Sequence, residues 1–558
     1  MKLGDAKIKD ILLKGDYVTK EDIKKADEYA KAHHSSVIDY LLAEQLISPD
    51  LLGQALAEFY NVPYSDLNSN TPPAEQILKI PEDVARKHRV IIFKEDGDSL
   101  VMATDNPVSK TIVAKLKEVF PGKKIKLTYS LSEDIDNTFI SYRKPLETRF
   151  AKIIKSEERI APEIINEIFE DASLYRASDI HFEPQAKEVV IRFRIDGVLQ
   201  EAGRIKREYY DNILNRIKVQ AQLRTDEHAS AQDGAIRYSS KGRNIDFRVS
   251  IIPTLDGEKV VMRILAEYVR GFSLNDIGLS ANDQRVIKDA SLKPFGMILV
   301  TGPTGSGKTT TLYAILKMLN RPEVNVTTIE DPVEYRVIGL NQIQVNEQTD
   351  LTFAKGLRSI VRQDPDVILV GEIRDEETAE IAVNAALTGH LLLSTFHAND
   401  AATSIPRLLD MGVEPFLLAS TLEVIVAQRL VRKICEKCRH SYTTSVSELE
   451  KTLSAAKNYF PKNVTIYKGK GCNVCNNTGY DGRIAIFEFI NITPKMQELI
   501  LTNPSTKQIW ELAKEEGSHA LFEDGINKVK NGKTTLEELL RVAAPPYWIE
   551  SSRKDKKK

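Results

Sequence analysis

Met297-Ile-Leu-Val-Thr-Gly302-Pro303-Thr304-Gly305-Ser306-Gly307-Lys308-Thr309-Thr310 joins a short apolar run to a loop that fits GxxxxGK[ST] at every position. The amphipathic run Thr310–Leu319 follows. Strand, glycine-rich loop and helix in that order are the context a phosphate-binding loop requires. The glycines let backbone N–H groups wrap phosphate oxygens. Lys308 offers a point charge to the β- and γ-phosphates, and Thr309 offers its hydroxyl to Mg²⁺. Residues Gly302 to Thr310 are therefore the expected nucleotide-binding segment, with ATP and Mg²⁺ as its ligands.

Three downstream segments repeat the pattern of an apolar run ending in polar residues. Asp366-Val-Ile-Leu-Val-Gly-Glu372 places a carboxylate where the water shell of Mg²⁺ would be held. Thr328-Ile-Glu330-Asp331-Pro-Val-Glu334 crowds three carboxylates, which repel unless they are solvated or face a metal–nucleotide complex. One of them would orient or deprotonate a water; a solvated acidic turn is the alternative on spacing alone. Thr388-Gly-His390-Leu-Leu-Leu-Ser-Thr395-Phe-His397 brackets a strand with imidazoles suited to sensing a γ-phosphate, or serving as ordinary core or surface histidines. The runs Met297–Val300, Val324–Ile329, Val367–Val370 and Leu391–Thr395 alternate with helical segments, which predicts a parallel sheet with crossover helices.

The chain has 558 residues, which at roughly 150 per domain suggests three or four domains. Upstream of the loop, Val189–Phe193, Ile236–Tyr238, Ile245–Ile251 and Lys259–Leu265 read as strands behind a helix over 160–176. Residues 80–145 read as a compact α+β subdomain, with linkers at 68–73 and 143–157. Ile8–Leu13 aligns with Val37–Leu42 in a weak helical repeat suited to docking a partner. After Cys475 the chain is expected to become helical and to end in a basic tail, a disordered solvated end with possible attraction to anionic lipid. Lys+Arg 77 against Asp+Glu 79 leaves a net charge of −2, so no direct nucleic-acid partner is expected. No run approaches the ~18 apolar residues of a membrane span, and Met1–Asp10 lacks the apolar core of a leader, so the expected location is cytoplasmic.

Cys435-Glu-Lys-Cys438 and Cys472-Asn-Val-Cys475 form two CxxC knuckles. Four thiolates suit tetrahedral Zn²⁺ in a closed, structural site; a redox dithiol is the alternative.

Taken together, GPTGSGKTTTLY, TIEDPVEY, LRSIVRQDPDVILVGEIRD and TGHLLLSTFHANDA resemble the four nucleotide-site motifs of the secretion-type ATPase superfamily, which powers type II secretion and type IV pilus assembly. Ser178–Pro184, Arg192–Gly197, Asp246–Ser250 and Gly257–Arg263 resemble its domain preceding the motor. The resemblance implies an α/β multidomain chain: a RecA-like ATPase core (275–430) preceded by a PAS-like α+β domain (155–270). It further implies an N-terminal helical module (1–67), a small α+β subdomain (74–145), a tetracysteine zinc element (431–485), a C-terminal helical domain (486–547) and a basic tail (548–558). By the same resemblance Glu334 activates water, Glu372 is the Mg²⁺-linked carboxylate, His390 and His397 lie near the phosphates, and Arg248 and Arg263 act on the nucleotide from the preceding domain. Family members usually read Gln-Asp-Gly-Arg where this chain has Gln232-Asp-Gly-Ala235. The implied protein is a homohexameric motor, peripheral to the inner membrane, that works on a platform protein in pilus assembly and docks assembly proteins through its N-terminal module. Type II secretion or DNA uptake is the alternative system, and a scaffold with negligible turnover the alternative class. The start Lys2-Leu-Gly4 matches the cyclic di-GMP-binding versions of the module only in part, so that ligand is not expected.

Overall fold

The computed structural model describes residues 5–33, 36–43, 46–67, 70–143, 146–156, 160–240, 243–265, 274, 276–334, 336–472, 474–475 and 477–545. The basic tail expected at 548–558 and the Lys2–Gly4 start lie outside the described residues. The chain divides into two compact units: Met1–Leu3 with Pro49–Arg270, and Gly4–Ser48 with Gly271–Lys558.

The first unit holds two sheets. Strands β1 (Val90–Asp96), β2 (Ser99–Thr104) and β3 (Lys124–Tyr129) form the smaller one in the order β1-β2-β3. Strands β4 (Asp179–Pro184), β5 (Glu188–Ile195), β6 (Val198–Lys206), β7 (Gln232–Ser240), β8 (Arg243–Thr254) and β9 (Gly257–Leu265) form an antiparallel sheet in the order β6-β5-β4-β9-β8-β7. Period-two alternation decides its two faces. Ile180, Phe182, Ile191, Phe193, Phe247, Val249, Val260 and Met262 are buried in one core with the helices Ile160–Leu174 and Arg207–Gln220. Phe169 stacks on Phe247 with ring centroids 4.3 Å apart. The opposite face carries Arg194, Asp179, Arg263 and Arg248 in one register row across β5, β4, β9 and β8.

The polar stretch 143–157 is not a plain linker. It contains the helix Leu146–Ser156, because Leu146 and Phe150 sit one helical turn apart and are buried in the same core. Arg143 and Arg149 tie this region to the buried Asp171 on the next helix.

In the second unit, β10 (Gly296–Thr301), β11 (Val326–Glu330), β12 (Asn341–Gln344), β13 (Val367–Val370), β14 (Leu391–Phe396) and β15 (Leu422–Ile434) are joined by parallel pairings. β16 (Arg439–Ser445) and β17 (Asn463–Gly469) make a separate hairpin, and β18 (Tyr480–Asn491) returns antiparallel to β15. The sheet order is β12-β11-β13-β14-β10-β15-β18. Met297 and Leu299 enter one core, Ile298 and Val300 the other, which is why the central strands read as unbroken apolar runs.

Two long strands here differ from the sequence expectation. β15 is not one of the apolar runs singled out, and the chain after Cys475 forms β18 before it turns helical. Their pairing is long-range: Val424 lies opposite Asn491 and Val431 opposite Ile484. Gly4–Ser48 contributes the helices Asp5–Lys14, Lys20–His33 and Val37–Ala43 to this unit. The second of them is capped reciprocally, the Asp22 N–H donating to Thr19 Oγ1 and the Thr19 N–H to Asp22 Oδ2.

Candidate nucleotide site

Parallel pairing brings the C-terminal ends of β10, β11, β13 and β14 to one edge of the sheet, and the four motif loops leave from that edge. At the first of them Gly302, Gly305 and Gly307 have φ of 147°, 77° and 87°. A Cβ on Gly302 would stand 2.6 Å from the Gln428 carbonyl oxygen, so that turn admits no side chain. The helix Lys308–Leu319 starts directly after it and points its unpaired N–H groups at the loop.

Lys308 Nζ donates to the Gly302 and Pro303 carbonyls at 2.9 and 3.2 Å. Burial lowers its pKa; the Glu372 carboxylate opposes that shift and the Arg429 guanidinium adds to it. Glu372 lies two residues past β13, is nearly buried, pairs with Arg374, and meets His397 Nε2 at 2.9 Å. The structure therefore gathers the phosphate loop, Lys308, Glu372 and His397.

Glu330 ends β11 as a buried carboxylate. Burial raises its pKa; hydrogen bonds from Thr328 Oγ1 and the Tyr313 hydroxyl, each 2.6 Å, oppose the rise. Glu334 is half-exposed and close enough for its charge to raise Glu330 further. Of the three crowded acids, Glu330 is thus occupied as an internal acceptor, while Glu334 keeps solvent access.

His390 is not brought to this edge. It precedes β14, and its backbone oxygen accepts from the Gly296 N–H at the start of β10. Along a strand that rises ~3.3 Å per residue, it stands about 20 Å from the loop after β10. Its Nδ1 lies 2.9 Å from the Ala385 carbonyl oxygen, so it locks a helix end against the sheet. The two histidines look equivalent in sequence because they flank the same strand; the strand's length separates them.

Arg248 and Arg263 belong to the other compact unit. They face each other across β8 and β9, and Arg263 Nε donates to Asp179 Oδ1 at 3.3 Å. Arg194 holds the other oxygen of Asp179. Ala235 lies directly opposite Arg248, so the row ends in a methyl group where the family pattern has arginine. Arg237, two residues on, is committed to Asp246 at 2.8 Å.

Cys435, Cys438, Cys472 and Cys475 converge with all four Sγ atoms within 4.8 Å of one another. Separations of 3.7–3.8 Å recur among them. A tetrahedral site with Zn–S of about 2.3 Å requires S···S of about 3.8 Å, so the cluster is compatible with zinc. The N–H groups of Cys472 and Gly479 point at Cys475 Sγ at 3.2 and 3.3 Å, which suits a thiolate.

Sequence reasoning passed over Gln428. It is buried in β15, donates from Nε2 to the Ser306 carbonyl at 2.7 Å, and accepts from Thr311 Oγ1 at 2.8 Å. It therefore braces the phosphate loop from behind. The available signal was a lone amide closing the apolar run Val424–Ala427, a position that costs free energy unless it is paired.

A family model described as "Type II/IV secretion system protein" matches residues 155–541, and one described as "MshEN domain" matches residues 60–148. The chain belongs to the type II/IV secretion system protein family. It is 37% identical over 559 residues to the type IV pilus assembly ATPase PilB of Myxococcus xanthus, covering 96% of this chain and 98% of that protein. To the type IV pilus assembly ATPase PilB of Thermus thermophilus it is 37% identical over 529 residues, covering 90% of this chain and 58% of that protein's length. To the type II secretion system protein E of Pseudomonas aeruginosa it is 47% identical over 379 residues, covering 68% of this chain and 74% of that protein. Membership and the complete phosphate loop together make this an ATP-hydrolysing enzyme with a RecA-like core. No helix among the described residues is long and apolar enough to cross a membrane.

Gln428→Leu is expected to weaken ATP binding about tenfold or more, because it strands the Ser306 carbonyl and the Thr311 hydroxyl behind the loop. Titration calorimetry checks this, and an unchanged dissociation constant would free Gln428 of the bracing role.

Proposed function

We propose that this protein is the motor ATPase of type IV pilus assembly. In this reading it works as a homohexamer on the cytoplasmic face of the inner membrane and drives a platform protein that adds pilin subunits. The observation that carries the reading is the site itself, with phosphate loop, Lys308, Glu372 and His397 on one sheet edge, in a chain similar over nearly its whole length to a pilus assembly ATPase. Type II secretion is the second reading, supported by the 47% identity over 379 residues to a type II secretion protein E. Deleting the gene and scoring surface pili against secreted protein separates the two.

In hydrolysis, backbone N–H groups of 304–309 and the Lys308 ammonium hold the β- and γ-phosphates. Thr309 and Glu372 are the side chains that would hold Mg²⁺, which supplies charge neutralisation at the phosphates when bound. Glu334 is the candidate base, since it keeps solvent access while Glu330 is buried and spent on Tyr313 and Thr328. His397 orients the Glu372 carboxylate through its 2.9 Å contact. Arg248 and Arg263 would bring guanidinium charge to the γ-phosphate from the domain preceding the motor. The four cysteines would hold a structural Zn²⁺ with no open coordination position. The N-terminal module would dock assembly proteins; cyclic di-GMP and nucleic acid are not assigned as ligands.

Lys308→Ala is expected to abolish turnover with the fold intact, whereas Glu334→Gln retains bound ATP and stops hydrolysis, because an amide is nearly isosteric with the acid but a poor base. Phosphate release and nucleotide-binding assays on the assembled ring read both variants. Loss of ATP binding in Glu334→Gln would remove it as the base.

Changing Arg248 or Arg263 to alanine is expected to cut turnover by at least ~10²-fold while ADP affinity stays near wild type, since ADP lacks the γ-phosphate and arginine fingers contribute up to ~10³–10⁵ in rate. Partial recovery in rings mixed from Arg248→Ala and Glu334→Gln chains would mark the arginine as acting between subunits.

Elemental analysis of protein purified without chelator is expected to find one zinc per chain. Replacing any one of the four cysteines by serine should release it and expose 431–485 to protease, because structural zinc contributes folding free energy directly. Metal-free but folded protein would overturn the assignment.

A further inference from the structure

A carboxylate outside the nucleotide site links it to the C-terminal helices. After His397 the chain is held by residues of three neighbouring strands, β10, β15 and β18. Ala398 exchanges two hydrogen bonds with Thr301 Oγ1 at the end of β10. The Asn399 carbonyl accepts from Arg429 on β15 at 2.9 Å. The Ala401 N–H donates to Glu488 Oε1 on β18 at 2.8 Å. The third hold differs from the others, because the second oxygen of Glu488 accepts the N–H of Leu521, first residue of the helix Leu521–Lys530, at 3.3 Å.

Glu488 is buried within an otherwise apolar stretch of β18, Ile486-Phe-Glu-Phe-Ile490. An acid there is costly unless its lone pairs are filled, and both its oxygens are filled by backbone donors from different segments. A side chain needed only to fill space would be apolar at lower cost.

We propose that Glu488 is a positioning residue for ATP hydrolysis: its carboxylate pins the His397 loop to the first turn of the helix Leu521–Lys530, so that a shift of His397 against Glu372 moves the C-terminal helices with it. The proposal rests on the ATPase reading above. His397 contacts Glu372, a carboxylate whose charge acts on Lys308 of the phosphate loop, so the two loops are linked. Next door on the same strand, the Phe487 N–H donates to Asp524 Oδ2 at 2.8 Å, so the helix is fastened to β18 at two successive residues.

Two donors favour an ionised acceptor, since protonation gives one carboxyl oxygen a hydrogen of its own and makes it the poorer acceptor. Burial is the main cause that pushes the Glu488 pKa up to about 7; the Asp400 charge adds to the rise, and the two N–H donors and Arg429 oppose it. On the helix, Asp524 is paired with Lys528 and Glu523 serves the Ala520 N–H. The clamp is therefore complete above neutrality and loses one hold as pH falls through about 7.

The test measures steady-state ATP turnover of full-length assembled rings from pH 6 to pH 8.5, with nucleotide affinity and melting temperature alongside. Glu488→Gln keeps one acceptor and is expected to lower kcat about tenfold at pH 8 with KM unchanged. The wild type is expected to show an acid limb near pH 7, and the Glu488→Gln profile to lack it. Asp400→Asn keeps its cap on the Thr403 N–H and should move that limb to lower pH without lowering the plateau. Wild-type kcat in Glu488→Gln at every pH would overturn the proposal, as would parallel loss of kcat, affinity and melting temperature, which marks a purely structural role. An unmoved limb in Asp400→Asn would count against Glu488 as its source. A wild-type ring without turnover would instead defeat the ATPase reading.

Discussion

The parallel hydrogen-bond ladder that runs from β11 through β13 and β14 to β10 and β15 brings the phosphate loop, Glu372 and His397 to one edge. Because the strands run the same way, their C-terminal ends stack at one edge, and the phosphate loop, the Glu372 turn and the His397 loop are neighbours in space though far apart in sequence. Register does the fine positioning. Thr301 pairs with Phe396 and with Ala427, which sets Gln428 behind the loop and His397 in front of it. A slip of one residue would turn Gln428 away from Ser306 and bury a different side chain. The same parallelism sends His390 to the far edge.

Burial sorts the acids of this edge by task. Glu330 and Glu488 are deep, raised in pKa by loss of water, and fully used as acceptors; both hold structure in place. Glu372, nearly buried, lies between a histidine and an arginine, and Glu334 keeps solvent access. Carboxylates close in sequence thus differ in chemistry because the protein hydrates them differently.

The six-stranded sheet of the other unit uses alternation toward a different end. One face builds a core around Phe169 and Phe247, which leaves the other free to carry charge. Asp179 stands between Arg194 and Arg263 and pairs with both, offsetting the repulsion between the guanidinium groups of the row. Ala235 shortens that row by one arginine, which lowers the charge the face presents and leaves the position beside Arg248 to a methyl group.

Much of this was legible in the sequence where the signal is local. The phosphate loop declares itself because glycine spacing, lysine and the following helix are contiguous; the knuckles do so because two CxxC pairs have few other uses; the central strands do so because burial on both faces makes them wholly apolar. The helix Leu146–Ser156 was hidden under its charged residues, although Leu146 and Phe150 carried its period. What the tertiary structure alone decided is non-local. The pairing of β15 with β18 spans a whole intervening hairpin and has no short-range cue. The separation of His390 from His397, the brace at Gln428 and the link at Glu488 all depend on which residues of distant strands stand opposite one another. A sequence states the alternation of a strand, but its register is set only when the partner strand packs and every buried polar group must find its donor or acceptor.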